Sequence, residues 1–571
     1  MFKILIFLSL LLFPIWTQCP SNIFLAGTCC PAENPLLLLC GDGTCESQFG
    51  ETPINCPYDC QDPSTLPISW TQNTESCENS FVYYPTSLDE IKADLKESIL
   101  RNEDVKVWGA GHSDSFELCS DGNYMVLIGF NTIHGIENFH DEEVVKVDAG
   151  VIFSDLTLYL FNNQKSLSYA LPEYGGMTLA GFLANDGHGS NAAEEGSDIV
   201  TSIRSIDKMD QRNRVTTYSK YCTEKSLWKA LMSDQGMLGI TVGLRIKIRD
   251  LFNIEIQIFK LTNDDVFKPG GIQAIADNCT NFMFVDWFLG QGAFFVTCGT
   301  ETTKDVSAPD AWNRLIIPDL DPSQLEQFLE ISQEAACNNS INQLIEAERV
   351  AQLDFLNWVQ YTLNGQVVTT NTGVGYAYRM LEVTLDDFIT NGIPRIFPIR
   401  EFEVGIPETM VDEAITYMKS YMTENNIIFP ILGVLMRVGR YNDDSWLGES
   451  AIGEEKNLLG KRIYYFEFES YYPFGFTPDQ YQAYDENVET MIKYLVKNYK
   501  GKLHTGKNLN DIWSSPEVHE RYSYVVEKYQ EFVEDFDPFG VFSNDLAAAL
   551  GIVWPKKGQK FSKFYYFKQD D

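Results

Sequence analysis

The stretch Val105-Lys106-Val107-Trp108-Gly109-Ala110-Gly111-His112-Ser113 decides the fold. A short valine-rich strand pattern runs directly into two glycines and a histidine. Glycine adopts backbone angles that other residues resist, so a turn of this composition lets successive N–H groups converge on an anion. The spacing is not Gly-x-Gly-x-x-Gly, which argues against the doubly wound dinucleotide-binding unit.

Working outward, "SLDEIKADLKESILRN" upstream predicts a helix capped by Ser87, with Leu88, Ile91, Leu95 and Leu100 as its apolar positions. Downstream, "EVVKVDAG" reads as a strand, "FSDLTLYLFNNQ" as a helix and "GITVGLRIKIRD" as a strand ending near Asp250. Helices alternating with valine-rich strands indicate an α+β or α/β domain over residues 63–250. From Leu251 the texture changes to longer, aromatic-rich elements, which we read as a second domain over 251–571. Its last segment, from about Leu503, carries motifs of its own, and the lysine-rich end from Lys556 to Lys568 reads as a solvated tail.

The amino terminus speaks to compartment. Lys3 precedes an apolar run from Ile4 to Ile15, so residues 1–18 read as a secretory signal peptide, with a membrane anchor as the rival reading. Seven of the 13 cysteines lie between Cys19 and Cys60, in a stretch dense in Gly, Pro and Asp. Such a stretch cannot build a core alone, so residues 19–62 are expected to form a disulfide module, with zinc as the weaker alternative. We expect no metal site. Asn278-Cys279-Thr280 and Asn338-Asn339-Ser340 match the glycosylation pattern. The formal net charge of -37 repels nucleic acid and anionic membrane surfaces, so neither is expected as a partner.

Four further motifs carry chemistry. The first runs from Thr178 through Gly181 to Asn185-Asp186-Gly187-His188-Gly189-Ser190, where glycines let backbone pass close to a flat ligand. The second, Gly236 to Val242, is a glycine turn feeding a strand. The third is Leu503-His504-Thr505-Gly506-Lys507-Asn508, and the fourth is Phe536-Asp537-Pro538-Phe539-Gly540-Val541-Phe542-Ser543-Asn544. Three of the six histidines, His112, His188 and His504, fall in these motifs.

With these motifs in this order, the chain resembles the FAD-linked sugar-lactone and alditol oxidases of the vanillyl-alcohol-oxidase superfamily. It is most similar to the plant-type L-gulonolactone oxidases. The likeness covers roughly Tyr83 to Gly551, densest from Val105 to Asp250 and in "GVLMRVGR", "FEFESYY", "LHTGKN" and "FDPFGVFS". It implies an α+β, two-domain FAD-binding fold of the PCMH type, with a substrate (cap) domain whose C-terminal segment returns to the flavin. In such proteins the loop matching Gly109, Ala110, Gly111, His112 and Ser113 wraps the FAD pyrophosphate, and the histidine matching His112 commonly carries the flavin covalently. The positions matching Thr178, Gly181, Asn185, Gly187, His188 and Gly189, and Gly239, Ile240 and Val242, line the dinucleotide. Those matching Arg437 and Lys507 lie near the isoalloxazine and substrate, and His504 is our candidate for substrate or proton contact. The chain departs from the family at Asp186, which would bring a charge near the flavin, and at Leu435, where many relatives hold glutamate.

The expected activity is therefore hydride removal from a sugar-derived CH–OH group to flavin. Molecular oxygen is the expected acceptor, giving hydrogen peroxide, and the compartment is the secretory lumen or the cell exterior. A dehydrogenase with another acceptor, or a secreted binding protein that has lost turnover, remain the alternatives.

Overall fold

The computed structural model describes residues 81–555 apart from 114–121, 168–174, 191–198, 280, 290–291, 307–311, 316–359, 364–365, 369–371, 378–398, 428, 430–432 and 472–477. The expected signal peptide, the cysteine-rich module, the Asn338 sequence and the lysine-rich tail lie outside the described residues.

Helix α1 (Leu88–Arg101) starts where Ser87 accepts the backbone N–H of Glu90, and it stops at Asn102 in the left-handed conformation. Its buried face is Ile91, Leu95, Ser98 and Ile99. Leu100, expected inside, is 56% exposed. The four-residue helical stride from Ile91 through Leu95 lands on Ile99, which leaves Leu100 on the solvent side.

Strands β1 (Val82–Tyr83), β2 (Val105–Trp108) and β3 (Asn123–Val126) make a small parallel sheet with β3 in the middle. The next sheet holds β4 (Ile133–Phe139), β5 (Glu142–Asp148), β6 (Ile203–Met209), β7 (Val215–Ser219) and β8 (Ile240–Lys247). It is antiparallel, in the order β4-β5-β8-β6-β7. Helices α2 (Phe153–Asn162), α3 (Leu179–Ala184) and α4 (Lys225–Leu231) bury Leu156, Leu160, Leu179, Leu183, Trp228 and Leu231.

The third sheet is larger. Its strands are β9 (Asn253–Thr262), β10 (Phe282–Phe288), β11 (Ala293–Thr302), β12 (Thr372–Tyr376), β13 (Ile399–Pro407), β14 (Val434–Arg440), β15 (Arg462–Tyr471) and β16 (Lys502–Leu503). All pair antiparallel in the order β12-β9-β11-β10-β14-β15-β13-β16. Helices α5 (Gly271–Asn278), α6 (Val411–Glu424), α7 (Pro478–Tyr499) and α8 (Pro516–Phe536) accompany it. One apolar cluster runs from Val145 and Leu179 to Phe466 and Tyr529, joining residues on both sides of Leu251. Cys279 is disulfide-bonded to Cys298 of β11, Asn278 is exposed at the end of α5, and Cys222 is a free, exposed thiol. Among the described residues no helix is long and apolar enough to cross a membrane.

The 536–544 motif closes the chain back on the first domain. Asp537 accepts the backbone N–H groups of Val541 and Phe542, and both side chains pack with Ile240, Val242 and Met125. The Val541 carbonyl accepts from the Val105 N–H, and Ser543 donates to Asp104. This motif therefore braces β2, the strand that leads into the Gly109–Ser113 turn.

Gly239 opens β8 at a φ of 109°, and a Cβ there would stand 2.4 Å from the Met209 carbonyl oxygen. Gly239→Ala is expected to cost about 1–3 kcal/mol of stability through backbone strain, measured by chemical denaturation. An unchanged midpoint would refute the strain.

Candidate active site

A cleft of about 1330 Å³, counted out to its open mouth, lies where the five-stranded and eight-stranded sheets approach each other. Its walls are the Gly109–Ser113 turn, the start of α3 at Thr178, Ala180 and Gly181, the Asn185–His188 turn and the 234–239 turn. Its floor is Glu401, Arg437, Glu467 and Glu469, with His504, Gly506 and Lys507 beside it. Glycine-rich turns and charged side chains in one concave site suit a ligand with two chemically distinct parts.

Side-chain hydrogen bonds join the loops. Asn185 Nδ2 donates to Ser113 Oγ at 3.2 Å, Thr505 Oγ1 donates to the Asn185 carbonyl at 2.8 Å, and Gln235 Nε2 donates to Thr505 Oγ1 at 2.6 Å. Asn544 Nδ2 then donates to the Gln235 carbonyl. All five motifs of the sequence thus meet here, with Gln235, unremarked in the sequence, as a central link.

The floor follows from strand alternation. Successive strand residues face opposite sides. In β13 and β15, the repeated pattern Glu401-Phe402-Glu403 and Glu467-Phe468-Glu469 therefore sends both phenylalanines into the apolar core and the glutamates to the other face. The register sets Glu403 opposite Glu467 and Glu401 opposite Glu469. Like charges directly opposite destabilise a sheet unless compensated. Arg437, one strand away, contacts Glu467 through Nη2 and approaches Glu403 at 3.3 Å. Lys507 contacts Glu467 and lies 3.0 Å from Glu403. Two cations thus bridge two carboxylates.

The histidines differ. His504 Nδ1 accepts the Gly506 N–H at 3.1 Å, and burial pushes its pKa down to about 3. It is neutral, with its proton on Nε2, so it serves as a hydrogen-bond donor and not as a base. His112 faces the cleft, and burial lowers its pKa to about 4. His188 lies 2.8 Å from Glu403 and stacks on Tyr465 at 3.6 Å. Burial opposes its charge, but Glu403 and Glu449 outweigh that and raise its pKa to about 9. Burial likewise opposes ionisation of Glu403, yet Lys507, His188 and Arg437 hold its pKa well below the usual range.

Gly109, Ala110, Gly111, His112, Ser113, Thr178, Gly181, Asn185, Gly187, His188, Gly239, Arg437, His504 and Lys507 all line the cleft. Ile240 and Val242 require correction: both side chains are buried in the apolar core, and Thr241 between them lines the cleft. The two-residue alternation of β8 leaves no other outcome. Gly189 contributes its carbonyl, 3.1 Å from His188 Nδ1, and does not line the wall. Asp186 brings no charge into the cleft. It sits at a φ of 54°, accepts from Ser233 Oγ, and abuts Gly448, where a Cβ would meet its carboxylate at 2.2 Å. Leu435 packs with Phe284 and Ile254, and Glu467 stands opposite it on the next strand. Sequence reasoning passed over Glu401, Glu403, Glu467 and Glu469, although the doubled Glu-x-Glu alternation was their signal.

Two family models match the chain: an FAD binding domain over residues 80–212 and a D-arabinono-1,4-lactone oxidase domain over residues 355–550. Together these matches make the chain similar to FAD-dependent sugar-lactone oxidases. It is 23% identical over 560 residues to a probable L-gulonolactone oxidase of Arabidopsis thaliana, covering 92% of this chain and 85% of the relative. It is 26% identical over 245 residues to L-gulonolactone oxidase of Scyliorhinus torazame, covering 42% of this chain. That match spans about half of the relative's length, at 52%. Among solved structures, the cholesterol oxidase of B. sterolicum aligns with a TM-score of 0.66 at 12% identity, covering 86% of this chain and 99% of that one. A solvent-stable cholesterol oxidase aligns at 0.64 and 13% identity, covering 86% of this chain and 97% of that one. These two share the fold, which is the α+β, PCMH-type FAD-binding fold.

The residues present fit FAD. At Gly109 a Cβ would lie 2.0 Å from Thr178 Oγ1, so only glycine allows this wall to close. Gly111, Gly236 and Gly239, all at positive φ, supply the backbone angles of an anion-binding nest along the cleft.

Proposed function

We propose that the protein is a secreted FAD-dependent oxidase acting on a CH–OH group of a neutral sugar-derived lactone or alditol. Oxygen is the acceptor, hydrogen peroxide the product, and the FAD is tethered at His112. One observation carries the reading: a glycine-walled cleft is lined by Arg437, Glu467 and Lys507, which Glu403 joins in one ion-paired cluster.

Bound FAD supplies the hydride acceptor. The chain supplies orientation and charge. His504 presents Nε2–H to an oxygen of the substrate, while Arg437 and Lys507 are held in place by two carboxylates. Glu401 and Glu469 line the same floor and accept hydroxyl protons, which suits a polyhydroxylated ligand and repels an anionic one. The secretory reading rests on the apolar run at Ile4–Ile15 and the cysteine-dense stretch that follows.

The test is a substrate screen on purified protein, read as peroxide yield. Lactones and alditols are expected to exceed the corresponding aldonate anions in kcat/KM by at least about tenfold, because like charges brought together in a cleft cost several kcal/mol. Equal turnover of the anions would overturn the selectivity. Reduction of an artificial dye without peroxide would make the protein a dehydrogenase, and purified protein without flavin would overturn the reading.

A further inference from the structure

We propose that His188 is a buried imidazolium at neutral pH that adds positive charge to the cleft floor, a positioning residue acting through Glu403 on Arg437 and Lys507. The inference rests on the flavin reading above, since its effect is read on bound FAD.

Both ring nitrogens of His188 face acceptors. Nδ1 lies 3.1 Å from the Gly189 carbonyl oxygen, a contact that requires a proton on Nδ1. Nε2 lies 2.8 Å from Glu403 Oε1. The contact lacks the alignment of a hydrogen bond, but an unprotonated ring nitrogen and a carboxylate oxygen repel at that distance, so Nε2 carries a proton and the two groups form an ion pair. Glu403 already receives Lys507 at 3.0 Å and Arg437 at 3.3 Å, so it is the carboxylate of the pair. The proton therefore belongs to His188, and the ring carries a charge. Tyr465 stacks on it at 3.6 Å and 20°, which fixes the ring plane and favours a cation.

A second buried acid stands behind it. Glu449 is fully buried, with Oε2 3.4 Å from His188 Nε2. Gly405 makes the room, since a Cβ there would lie 2.9 Å from Glu449 Cγ. Burial and the Glu403 charge raise the Glu449 pKa to about 8, so at neutral pH it is a neutral acid and does not cancel the imidazolium. In the cluster, the charges of Glu403 and Glu467 offset those of Arg437 and Lys507. Protonated His188 adds one positive charge to this four-residue cluster, beside the Glu401 and Glu469 carboxylates of the same floor. The titratable and charged groups facing His188 are Glu403 from β13, Arg437 from β14, Tyr465 from β15, Glu449 from the loop before β15, and His504 after β16. A fixed positive charge beside a flavin stabilises its reduced, anionic form.

The experiment is the midpoint potential of the bound FAD, measured by dye equilibration in the holoenzyme as a function of pH. It needs no substrate. The His188 pKa is raised, so its charge is present below about 9 and lost as pH rises through that value. The wild-type potential is expected to fall with an additional break there. His188→Gln, with its FAD content checked, is expected to have a lower potential at neutral pH and no such break. Glu449→Gln exchanges a neutral acid for a neutral amide, so at neutral pH its potential is expected to match wild type. A flavin-loaded wild type without the break overturns the His188 assignment alone, even if His188→Gln fails to fold. So does a shift in Glu449→Gln as large as that in His188→Gln. Loss of lactone oxidation with these potentials intact would instead overturn the substrate reading, and a wild type without flavin would overturn both.

Discussion

Arg437→Ala is expected to slow reduction of the bound flavin by at least about a hundredfold, the scale on which fixed polar groups at a reacting centre act. Arg437 is 7% exposed and touches both Glu467 and Glu403. Removing it leaves two facing carboxylates with Lys507 as their shared cation, and breaking a buried pair from one side costs about 3–5 kcal/mol. The variant should therefore also unfold at lower denaturant. Lys507→Ala is expected to behave similarly but less severely in stability, because the Lys507 side chain is slightly more exposed, 13% against 9% for Arg437. Flavin content is measured first, then stopped-flow reduction by the best substrate. A variant that keeps its flavin and reduces within about threefold of wild type would remove the residue from the site.

His112→Ala is expected to abolish the flavin tether completely. The His112 ring faces the cleft from the Gly109–Ser113 turn, and burial lowers its pKa to about 4. At neutral pH the imidazole is therefore unprotonated, the form in which a ring nitrogen can bond to carbon. Acid-precipitated wild type should give a yellow pellet, and His112→Ala a white pellet with its FAD in the supernatant. A white wild-type pellet would refute the tether while leaving FAD binding intact. Gly109 and Thr178 form the cradle independently of the histidine, so the variant should still bind FAD reversibly.

The walls of the cleft were far more legible in the sequence than its floor. Gly109, Gly111, Gly187 and Gly239 stand out because local backbone demands select glycine wherever the chain passes close to something else. Helix α1 was equally plain, from Ser87 to Asn102, since caps and apolar stride are local signals. The error at Leu100 was one of phase: Ile99 and Leu100 are both apolar, and only packing chooses between neighbours. Ile240 and Val242 were misplaced for a related reason. A glycine turn marks where the backbone nears a ligand, but the strand that follows sends alternate side chains away from it.

By itself the sequence determined the α+β alternation, the glycine turns and the five motifs that meet at the cleft, because each rests on propensities and periodicities a few residues long. The charged floor was decided only by tertiary structure. Glu403 and Glu467 are 64 positions apart in the chain by their numbers, and nothing local sets them opposite each other. The register of β13 on β15 does that, and the neighbouring β14 brings Arg437 beside them. The same holds for protonation. His112, His188 and His504 are one residue type with one ordinary pKa, and burial and neighbours separate them to about 4, about 9 and about 3. Charge in a dry site depends on what surrounds a group in space, which a linear pattern does not contain.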